Sequence, residues 1–283
     1  MTVTSDLLLC LVSIAVVSAG FCCLGLWVGA RTSRRASALV GGLATLVLVV
    51  YALWLNDNPV LTHILPVANL LLWGNLQLPA AALLGGVAWS SLKSPLWQRV
   101  LLVLSLVAMG FWREAGPLIG HPPPIGPARW THGICRQTST SSCSAAAAAT
   151  LLDIYGIKTT EGEMIRCCLT HVEGTSTLGL YRGLKLKTAG TKWTVWADTP
   201  GTESLDRWPL PAVITVSLPG LAPGLLGSGV GHSIVVLRVN DDGKFDIADP
   251  FAGRQVWSRQ QLIAAYGGDV MALIPQGKPA PHQ

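Results

Sequence analysis

The sequence of 283 residues is 50% hydrophobic, has a mean hydropathy of +0.47 and carries a formal net charge of +5 at pH 7. Residues 1–112 contain only two acidic and five basic side chains, so the rest of the chain holds 13 of the 15 acidic and 15 of the 20 basic ones. This division indicates a membrane-embedded first half and a water-soluble second half. No basic patch with interleaved aromatic residues is present, which excludes nucleic acid as a partner.

Four apolar stretches in residues 1–113 are suited to a bilayer, which requires about 20 apolar residues per helix. They predict an all-α bundle of four transmembrane helices, and hence a lipid bilayer as partner, with spans at about 7–30, 38–55, 64–89 and 97–112. The first stretch has no basic residue before its apolar core and is longer than a signal peptide, so we expect it to be a span. In the third stretch Asn69 and Gln77, eight residues apart, should share a helical face. They would either form interhelical hydrogen bonds or line a path for a substrate or ion.

Basic residues occur in alternate loops of this predicted bundle. The first loop contains Arg31, Arg34 and Arg35, and the third contains Lys93 and Arg99, whereas the N-terminus and residues 56–63 have no lysine or arginine. Because basic loops stay in the cytoplasm, both termini should lie outside it. The soluble half is therefore predicted on the extracytoplasmic side of a multi-pass membrane protein.

The second half begins with a linker rich in proline and glycine at 114–129, followed by a domain at 130–276 and a tail at 277–283. Helices come first in this domain, and their boundaries follow from Gly156 and Gly190 as C-terminal caps and from Thr160 and Glu163 as a capping box. They are predicted at Cys143–Tyr155, from Thr160 to about Leu169, and at Thr177–Ala189.

Short segments rich in valine, isoleucine and tryptophan follow, and this pattern is typical of strands. They are predicted at Lys192–Ala197, Ala212–Ser217, His232–Val239, Lys244–Ala248, Arg254–Trp257 and Val270–Ile274, with a helix at Ser258–Tyr266. Asn240–Gly243 predicts a hairpin turn, and Pro219–Gly231 a mobile loop that leads to His232. Helices followed by an antiparallel sheet indicate an α+β fold.

Four residues of this domain have the chemistry of a cysteine-nucleophile acyl-transfer site. Cys143 begins an alanine-rich helix, where the unpaired N–H groups and the helix dipole favour a thiolate. His232 begins one strand and Asp249 ends the next, so an imidazole and the carboxylate that orients it can meet on one face. Gln137 can donate its amide N–H to an oxyanion beside the Cys143 backbone N–H.

The segments from Gln137 through Cys143 to Leu152, around Gly231-His232, and Ile247-Ala248-Asp249-Pro250 together resemble the bacteriocin-processing cysteine peptidases, family thirty-nine. The resemblance implies a papain-like α+β cysteine peptidase domain, here preceded by the membrane bundle, in a stand-alone member of a bacterial inner membrane. It implies Cys143 as nucleophile, His232 as general base and acid, Asp249 as orienting residue and Gln137 as oxyanion-hole donor. The family usually has Gly-Pro after the nucleophile, whereas this sequence has Ser144-Ala145.

The predicted function is therefore that of a membrane-anchored cysteine peptidase that hydrolyses a peptide or protein substrate and needs no cofactor. The best-known members of the family cut leader peptides after Gly-Gly on the cytoplasmic side of transporters, opposite to the side predicted here. One alternative is a non-hydrolytic papain-like module that binds a peptide for a membrane-protein partner or transporter. Another is an acyltransferase that uses the same residues.

Three further cysteines of the domain have two interpretations. In an oxidising compartment Cys135 would pair with Cys167 or Cys168; otherwise all three are buried free thiols. Because no Cys-x-x-Cys spacing is present, His132 and His171 do not indicate a metal site with them.

The orientation is testable with reporters fused after Gln283. A reporter that is active only outside the cytoplasm should be active when it is fused after Gln283, because the basic first and third loops keep the other side of the bundle in the cytoplasm. The same reporter inserted after Arg35 is the matched control and should be inactive. A reporter active only in the cytoplasm that works after Gln283 would contradict the predicted side.

Overall fold

The structure is a computed structural model that describes residues 5–217 and 231–277, and of residues 112–117 only the backbone. Within these ranges the chain forms two compact units. A helical unit comprises residues 5–61 and 69–119, and an α+β unit comprises residues 62–68 and 120–277. The loop predicted at Pro219–Gly231, except Gly231, and the tail after Gly277 lie outside the described residues.

Helices account for most of the first 119 residues. They are α1 Ser5–Arg31, α2 Arg34–Val50 with a π-helical turn at Tyr51–Leu55, α3 Leu61–Ile64, α4 Leu70–Trp73, α5 Gln77–Ser91 and α6 Leu96–Ile119. Ser33 caps α2 because its hydroxyl accepts a hydrogen bond from the Ala36 N–H, which satisfies one of the unpaired donors of the first turn.

Among the described residues, three helical runs are long and apolar enough to cross a membrane: Ser5–Arg31, Arg34–Leu55 and Leu70–Ser91. They correspond to the first three predicted spans. The fourth predicted span lies in α6, whose apolar part Leu96–Phe111 is shorter than those three. A bundle of four spans therefore remains a prediction. Because α6 continues to Ile119, the first residues of the predicted linker are helical.

The third span differs from its prediction, because it begins at Leu70 and is not continuous. Asn75 interrupts it: its Oδ1 accepts hydrogen bonds from the N–H groups of Gln77 at 2.9 Å and Leu78 at 3.3 Å and so starts α5 anew. The prediction that Asn69 and Gln77 share one face of a continuous helix is therefore wrong. Asn69 Nδ2 donates to Asp6 Oδ2 of α1 at 3.0 Å, which agrees with the interhelical hydrogen bonding that is one of the two alternatives for this residue.

Helices α1 and α5 pack at backbone contact distance. A Cβ atom added at Gly25 would overlap the carbonyl oxygen of Leu83, and one added at Gly86 would overlap the carbonyl oxygen of Cys22. At Gly29, one turn further along α1, an added Cβ would overlap the Ser90 hydroxyl of α5 and approach the Val87 carbonyl oxygen. Small residues at four-residue spacing on one face of a helix allow the backbone of a neighbouring helix to approach this closely. The glycines therefore set the distance between the two helices.

The elements of the second unit follow the predicted order of helices before sheet. They are β1 Arg129–Thr131, β2 Ile134–Arg136, α7 Cys143–Ile154, α8 Glu161–Cys167, α9 Thr177–Thr188, β3 Trp193–Asp198, a 3-10 turn at Thr202–Arg207, β4 Ala212–Ser217, β5 Gly231–Val239, β6 Phe245–Asp249, β7 Gly253–Trp257, α10 Arg259–Ala265 and β8 Tyr266–Pro275. The predicted capping box of Thr160 and Glu163 is present at α8.

Six strands form one antiparallel sheet in the order β3-β8-β4-β5-β6-β7, and β1 and β2 form a separate hairpin. Strand β8 is longer than predicted because it lies between β3 and β4 and pairs with both. One face of the sheet buries an apolar core that includes Ile214, Ile234 and Ile247, against Leu205 of the 3-10 turn and Leu262 of α10.

Helix α7 packs against β5, with further contacts to β4 and β6. Its five consecutive alanines, Ala145–Ala149, have no solvent exposure, which is typical of a helix surrounded by protein on all sides. Methyl side chains let the helix axis approach the sheet more closely than larger residues would. The start of α7 is thereby brought to the start of β5 and the end of β6.

Replacing Gly86 by valine should disrupt the helical unit, because the new Cβ cannot avoid the backbone of α1. We expect the Gly86→Val protein to lose more than about 2 kcal/mol of stability, measured by reversible unfolding in detergent. Gly42→Val is the matched control, since an added Cβ at Gly42 meets nothing within 4 Å. Equal stability of the two variants would contradict the close packing of α1 and α5.

Candidate active site

Cys143 is the first residue of α7, as its sequence position predicts, and it is buried. A tight loop leads into it. The Ser142 hydroxyl donates to the Ser139 carbonyl at 3.0 Å and accepts from the Ser139 N–H at 3.1 Å. These paired hydrogen bonds fix the backbone before the helix, so the thiol sits where the unpaired N–H groups of the first turn are concentrated.

His232 and Asp249 are hydrogen-bonded in the protein interior. His232 Nε2 donates to Asp249 Oδ1 at 2.9 Å, and both side chains are less than one-tenth exposed. The pairing of β5 with β6 explains the contact. Val235 pairs with Ala248, so the register places Asp249 opposite Ile234, and His232 lies diagonally from Asp249 on the same face. Because Nε2 is held by the carboxylate, Nδ1 is the ring nitrogen free to face a thiol.

The carboxylate of Asp249 is held by its own turn as well as by His232. Oδ1 also accepts hydrogen bonds from the N–H groups of Phe251 at 2.7 Å and Ala252 at 3.1 Å. Burial alone would raise the pKa of Asp249, but the hydrogen bond from His232 and those of the turn outweigh it and lower the pKa. The residue is therefore a fixed anion beside the imidazole.

Cys143 and His232 shift each other's protonation in opposite directions. Burial would raise the pKa of Cys143, but the hydrogen bond and charge of His232 lower it below its ordinary value. Burial would likewise lower the pKa of His232, but its hydrogen bonds with Asp249 and Cys143 raise it to about 9. Both shifts favour the charged pair, a thiolate beside an imidazolium.

Gln137 lies between the Asp249 turn and the loop before α7. Its backbone N–H donates to the Pro250 carbonyl at 3.1 Å, and its side-chain Nε2 donates to the Ser139 carbonyl at 2.8 Å. The contact with a carbonyl fixes which end of the amide bears hydrogen. The structure therefore brings Cys143, His232 and Asp249 into one cluster. Gln137 is hydrogen-bonded both to the turn after Asp249 and to the loop before Cys143.

Two charged residues that the sequence analysis missed hold this loop in place. Buried Glu161 of α8 accepts from the Thr138 N–H at 2.7 Å and from the Thr138 hydroxyl at 2.8 Å. Arg136 donates through Nη1 to the Asp249 carbonyl at 3.5 Å and through Nη2 to the Phe251 carbonyl. These contacts join residues far apart in sequence, so no local pattern could have indicated them.

Two serines next to the cluster were also missed as contributors. Ser144 Oγ lies 2.8 Å from Ser233 Oγ, and both residues are buried. A hydrogen bond from the Ser144 hydroxyl and one from the Ser233 N–H contribute to lowering the pKa of Cys143. The only signal in the sequence was that each directly follows a predicted site residue.

All seven cysteines lie in the described part of the chain, and all are free thiols. Cys135 and Cys168 have no solvent exposure, and burial raises the pKa of both, to about 12 for Cys135. The structure thus agrees with free thiols rather than a disulfide, but of the three cysteines in question only Cys135 and Cys168 are buried, whereas Cys167 is partly exposed. No group of three or more histidine, cysteine or acidic residues able to hold a metal is found within residues 5–217 and 231–277.

The α+β unit corresponds to a known family of peptidase domains. The family model described as the peptidase C39 family matches residues 131–278, just over half of the chain. The chain belongs to the peptidase C39 family, and its α+β unit has the C39 peptidase fold. The resemblance drawn from the sequence motifs is thereby confirmed. No curated protein sequence matches the chain.

Solved structures of C39 peptidase domains are similar to half of the chain. The peptidase domain of Streptococcus ComA, a bifunctional ABC transporter involved in quorum sensing, is 18% identical over 50% of this chain and 96% of its own, with a TM-score of 0.42. A double-glycine-motif protease from an AMS/PCAT transporter, solved with its leader peptide, is 17% identical over 54% and 99%, with a TM-score of 0.42. The N-terminal C39-like domain of a toxin secretion ATP-binding protein from Vibrio parahaemolyticus is 12% identical over 49% and 100%, with a TM-score of 0.36.

The electrostatics of the cluster predict a selectively reactive thiol. Iodoacetamide at pH 7 should alkylate Cys143 faster than Cys135 or Cys168, because only the thiolate reacts and only Cys143 has a lowered pKa. His232→Ala should move the midpoint of the rate–pH profile of Cys143 upward, because the variant removes the largest of the interactions that lower this pKa.

Site-resolved mass spectrometry of the full-length protein in detergent measures each rate, and Cys168, which is fully buried, monitors the integrity of the fold. An unchanged profile for Cys143 in the His232→Ala protein, with Cys168 still protected, would show that the two side chains are not coupled.

Proposed function

We propose that the protein is a membrane-anchored cysteine peptidase that hydrolyses a peptide bond through Cys143, His232 and Asp249, with Gln137 as oxyanion donor. The observation that carries the proposal is the 2.9 Å hydrogen bond between His232 Nε2 and Asp249 Oδ1 in the same buried cluster as the Cys143 thiol. Membership of the peptidase C39 family supports a cysteine peptidase-like activity and a peptide or protein as substrate.

In the proposed first step the Cys143 thiolate attacks the carbonyl carbon of the scissile bond, and the carbonyl oxygen becomes an oxyanion. Nε2 of Gln137 uses one N–H for the Ser139 carbonyl, which leaves the second for this oxyanion beside the Cys143 backbone N–H. The imidazolium of His232 then gives its Nδ1 proton to the departing amine, and an acyl-enzyme remains. Asp249 keeps the ring in place throughout this step.

In the second step the same groups act in reverse. Neutral His232 takes a proton from a water molecule, whose oxygen attacks the acyl carbon. Collapse of the second tetrahedral intermediate breaks the C–S bond and releases the carboxylic acid product and the Cys143 thiolate. His232 keeps the proton that it took from water, so the thiolate–imidazolium pair is restored. An amine in place of water would make the reaction an acyl transfer, so product analysis distinguishes the two.

The membrane anchor is proposed from the three apolar helical runs at Ser5–Arg31, Arg34–Leu55 and Leu70–Ser91. With α6 as a fourth crossing, an even number of spans leaves the N-terminus and the peptidase unit on the same side. The basic loops then favour the extracytoplasmic side. A peptide cut at or outside a bacterial inner membrane is therefore the proposed substrate class.

Substitution of the proposed nucleophile tests the function directly. Cys143→Ala should lower kcat/KM for peptide cleavage by at least about a thousandfold, because no other group can form the acyl-enzyme. Cys167→Ala is the matched control, because it also loses a thiol of this unit but should retain cleavage. The measurement is a comparison, by mass spectrometry, of peptides released by membranes that contain each variant.

Cleavage by the Cys143→Ala protein at the wild-type rate would refute the peptidase assignment. Wild-type protein that binds peptides, remains unmodified and releases no product would instead identify the non-hydrolytic module. Products joined to an added amine at the expense of the free acid would identify the acyltransferase.

A further inference from the structure

A hydroxyl pair connects the two elements that carry the thiol and the imidazole. Ser144 belongs to the first turn of α7 and Ser233 to β5, and their Oγ atoms are 2.8 Å apart. The two residues are only 7% and 4% exposed, so water does not compete effectively for either hydroxyl. A buried hydroxyl without a partner is unfavourable, so each serine stabilises the buried position of the other.

The pair lies on the opposite side of β5 from the His232–Asp249 contact. Consecutive residues of a strand project to opposite faces, so His232 and Ser233 point in opposite directions. The start of α7 meets both of them, because Cys143 interacts with His232 while Ser144 contacts Ser233. Two contacts on two sides of one strand fix the rotation of the first helical turn, and with it the direction of the Cys143 side chain.

The hydrogens of this cluster can be arranged in only one way when the sulfur is a thiolate. Ser144 directly follows Cys143 in the first turn of α7, and its hydroxyl contributes to lowering the pKa of the thiol. A thiolate is an acceptor only, so toward the sulfur this hydroxyl must donate. Because a serine has one hydroxyl hydrogen, Ser144 then accepts at its oxygen from Ser233. The 2.8 Å contact of the two hydroxyls therefore gives the donor order Ser233, Ser144, sulfur, and the Ser233 N–H also contributes to lowering the pKa of Cys143.

We propose that the Ser144–Ser233 hydroxyl pair is a positioning element of the active site that orients Cys143 and donates to its thiolate. The inference deepens the proposed peptidase function and rests on it. It also gives a physical reason for serine at position 144, where the resemblance leads one to expect glycine. Glycine has no hydroxyl, so a chain with glycine there would need other donors for the sulfur.

The test is the pH profile of Cys143 alkylation, measured residue by residue in full-length protein in detergent, which requires no peptide substrate. Ser144→Ala should raise the midpoint and slow alkylation below it by roughly 2- to 10-fold, the effect of one net hydrogen bond. Ser233→Ala should have a smaller effect, because Ser144 keeps its donor. The double variant should match Ser144→Ala, because Ser233 acts on the sulfur through the Ser144 hydroxyl.

Ser204→Ala is the matched control. The Ser204 hydroxyl is also buried and accepts a hydrogen bond from Trp208 Nε1 at 3.1 Å. It lies in the 3-10 turn whose Leu205 packs in the apolar core of the sheet. This variant should lose stability while its Cys143 profile stays that of the wild type. Protection of Cys168 in every variant shows that the fold is intact; if Ser144→Ala exposes Cys168, Ser233→Ala carries the test with its smaller upward shift.

The outcomes separate this inference from the function on which it rests. A lowered wild-type midpoint that Ser144→Ala leaves unchanged, in a folded protein, would overturn the role of the serine pair alone. Independent effects of the two serines that multiply in the double variant would also overturn it. A wild-type midpoint at the ordinary value of 9.0 would overturn the activated thiol and both proposals with it.

Discussion

The interaction between the Cys143 thiol and the His232 imidazole is the constraint on which the rest of the peptidase unit depends. A single buried charge is costly, because burial removes its hydration, whereas two opposite charges with further hydrogen bonds can be tolerated. Each of the two side chains has further partners. Asp249 holds the imidazole through a hydrogen bond of 2.9 Å, and Ser144 of α7 and Ser233 of β5 help to lower the pKa of the Cys143 thiol. The fold can therefore be understood as a means of assembling these partners around two charges that neither could retain alone.

The packing of the unit follows from this requirement. The five alanines of α7 allow the helix to lie close to β5, which brings a helix start and a strand start together. Antiparallel pairing of β5 with β6 supplies the carboxylate from a neighbouring strand, and Arg136 and Glu161 secure the loop that carries Gln137. Each of these devices acts on position rather than on chemistry. The site thus depends on one direct contact to the ring, from Asp249, and on several contacts that act at a distance by holding the surrounding loops in place.

The sequence predicted those features whose physical cause is local. The Thr160–Glu163 capping box, the helix start at Cys143 and the strand at Ala212–Ser217 depend on neighbouring residues, and the structure has all three. The sequence could not predict the break at Asn75. An asparagine in an apolar stretch is compatible with a position inside a helix as well as with a position before a helix start. The Ser144–Ser233 contact was equally inaccessible, since it joins residues 89 positions apart. The four proposed site residues were identified from their order along the chain and from a family resemblance. Their spacing alone would not have identified them.

The order of the site residues along the chain has a consequence for the life of the protein. Cys143 is synthesised well before β5 and β6, and a cysteine without its imidazole partner has an ordinary, mostly protonated thiol. The reactive sulfur therefore does not exist in a nascent or partly folded chain. An incomplete molecule does not offer a Cys143 thiolate to oxidants, and a chain that unfolds locally at β5 loses the lowered pKa of Cys143 at the same moment. The lowered pKa of Cys143 is in this way a property of the finished tertiary structure, because it requires the imidazole that the completed pairing of β5 with β6 holds in place.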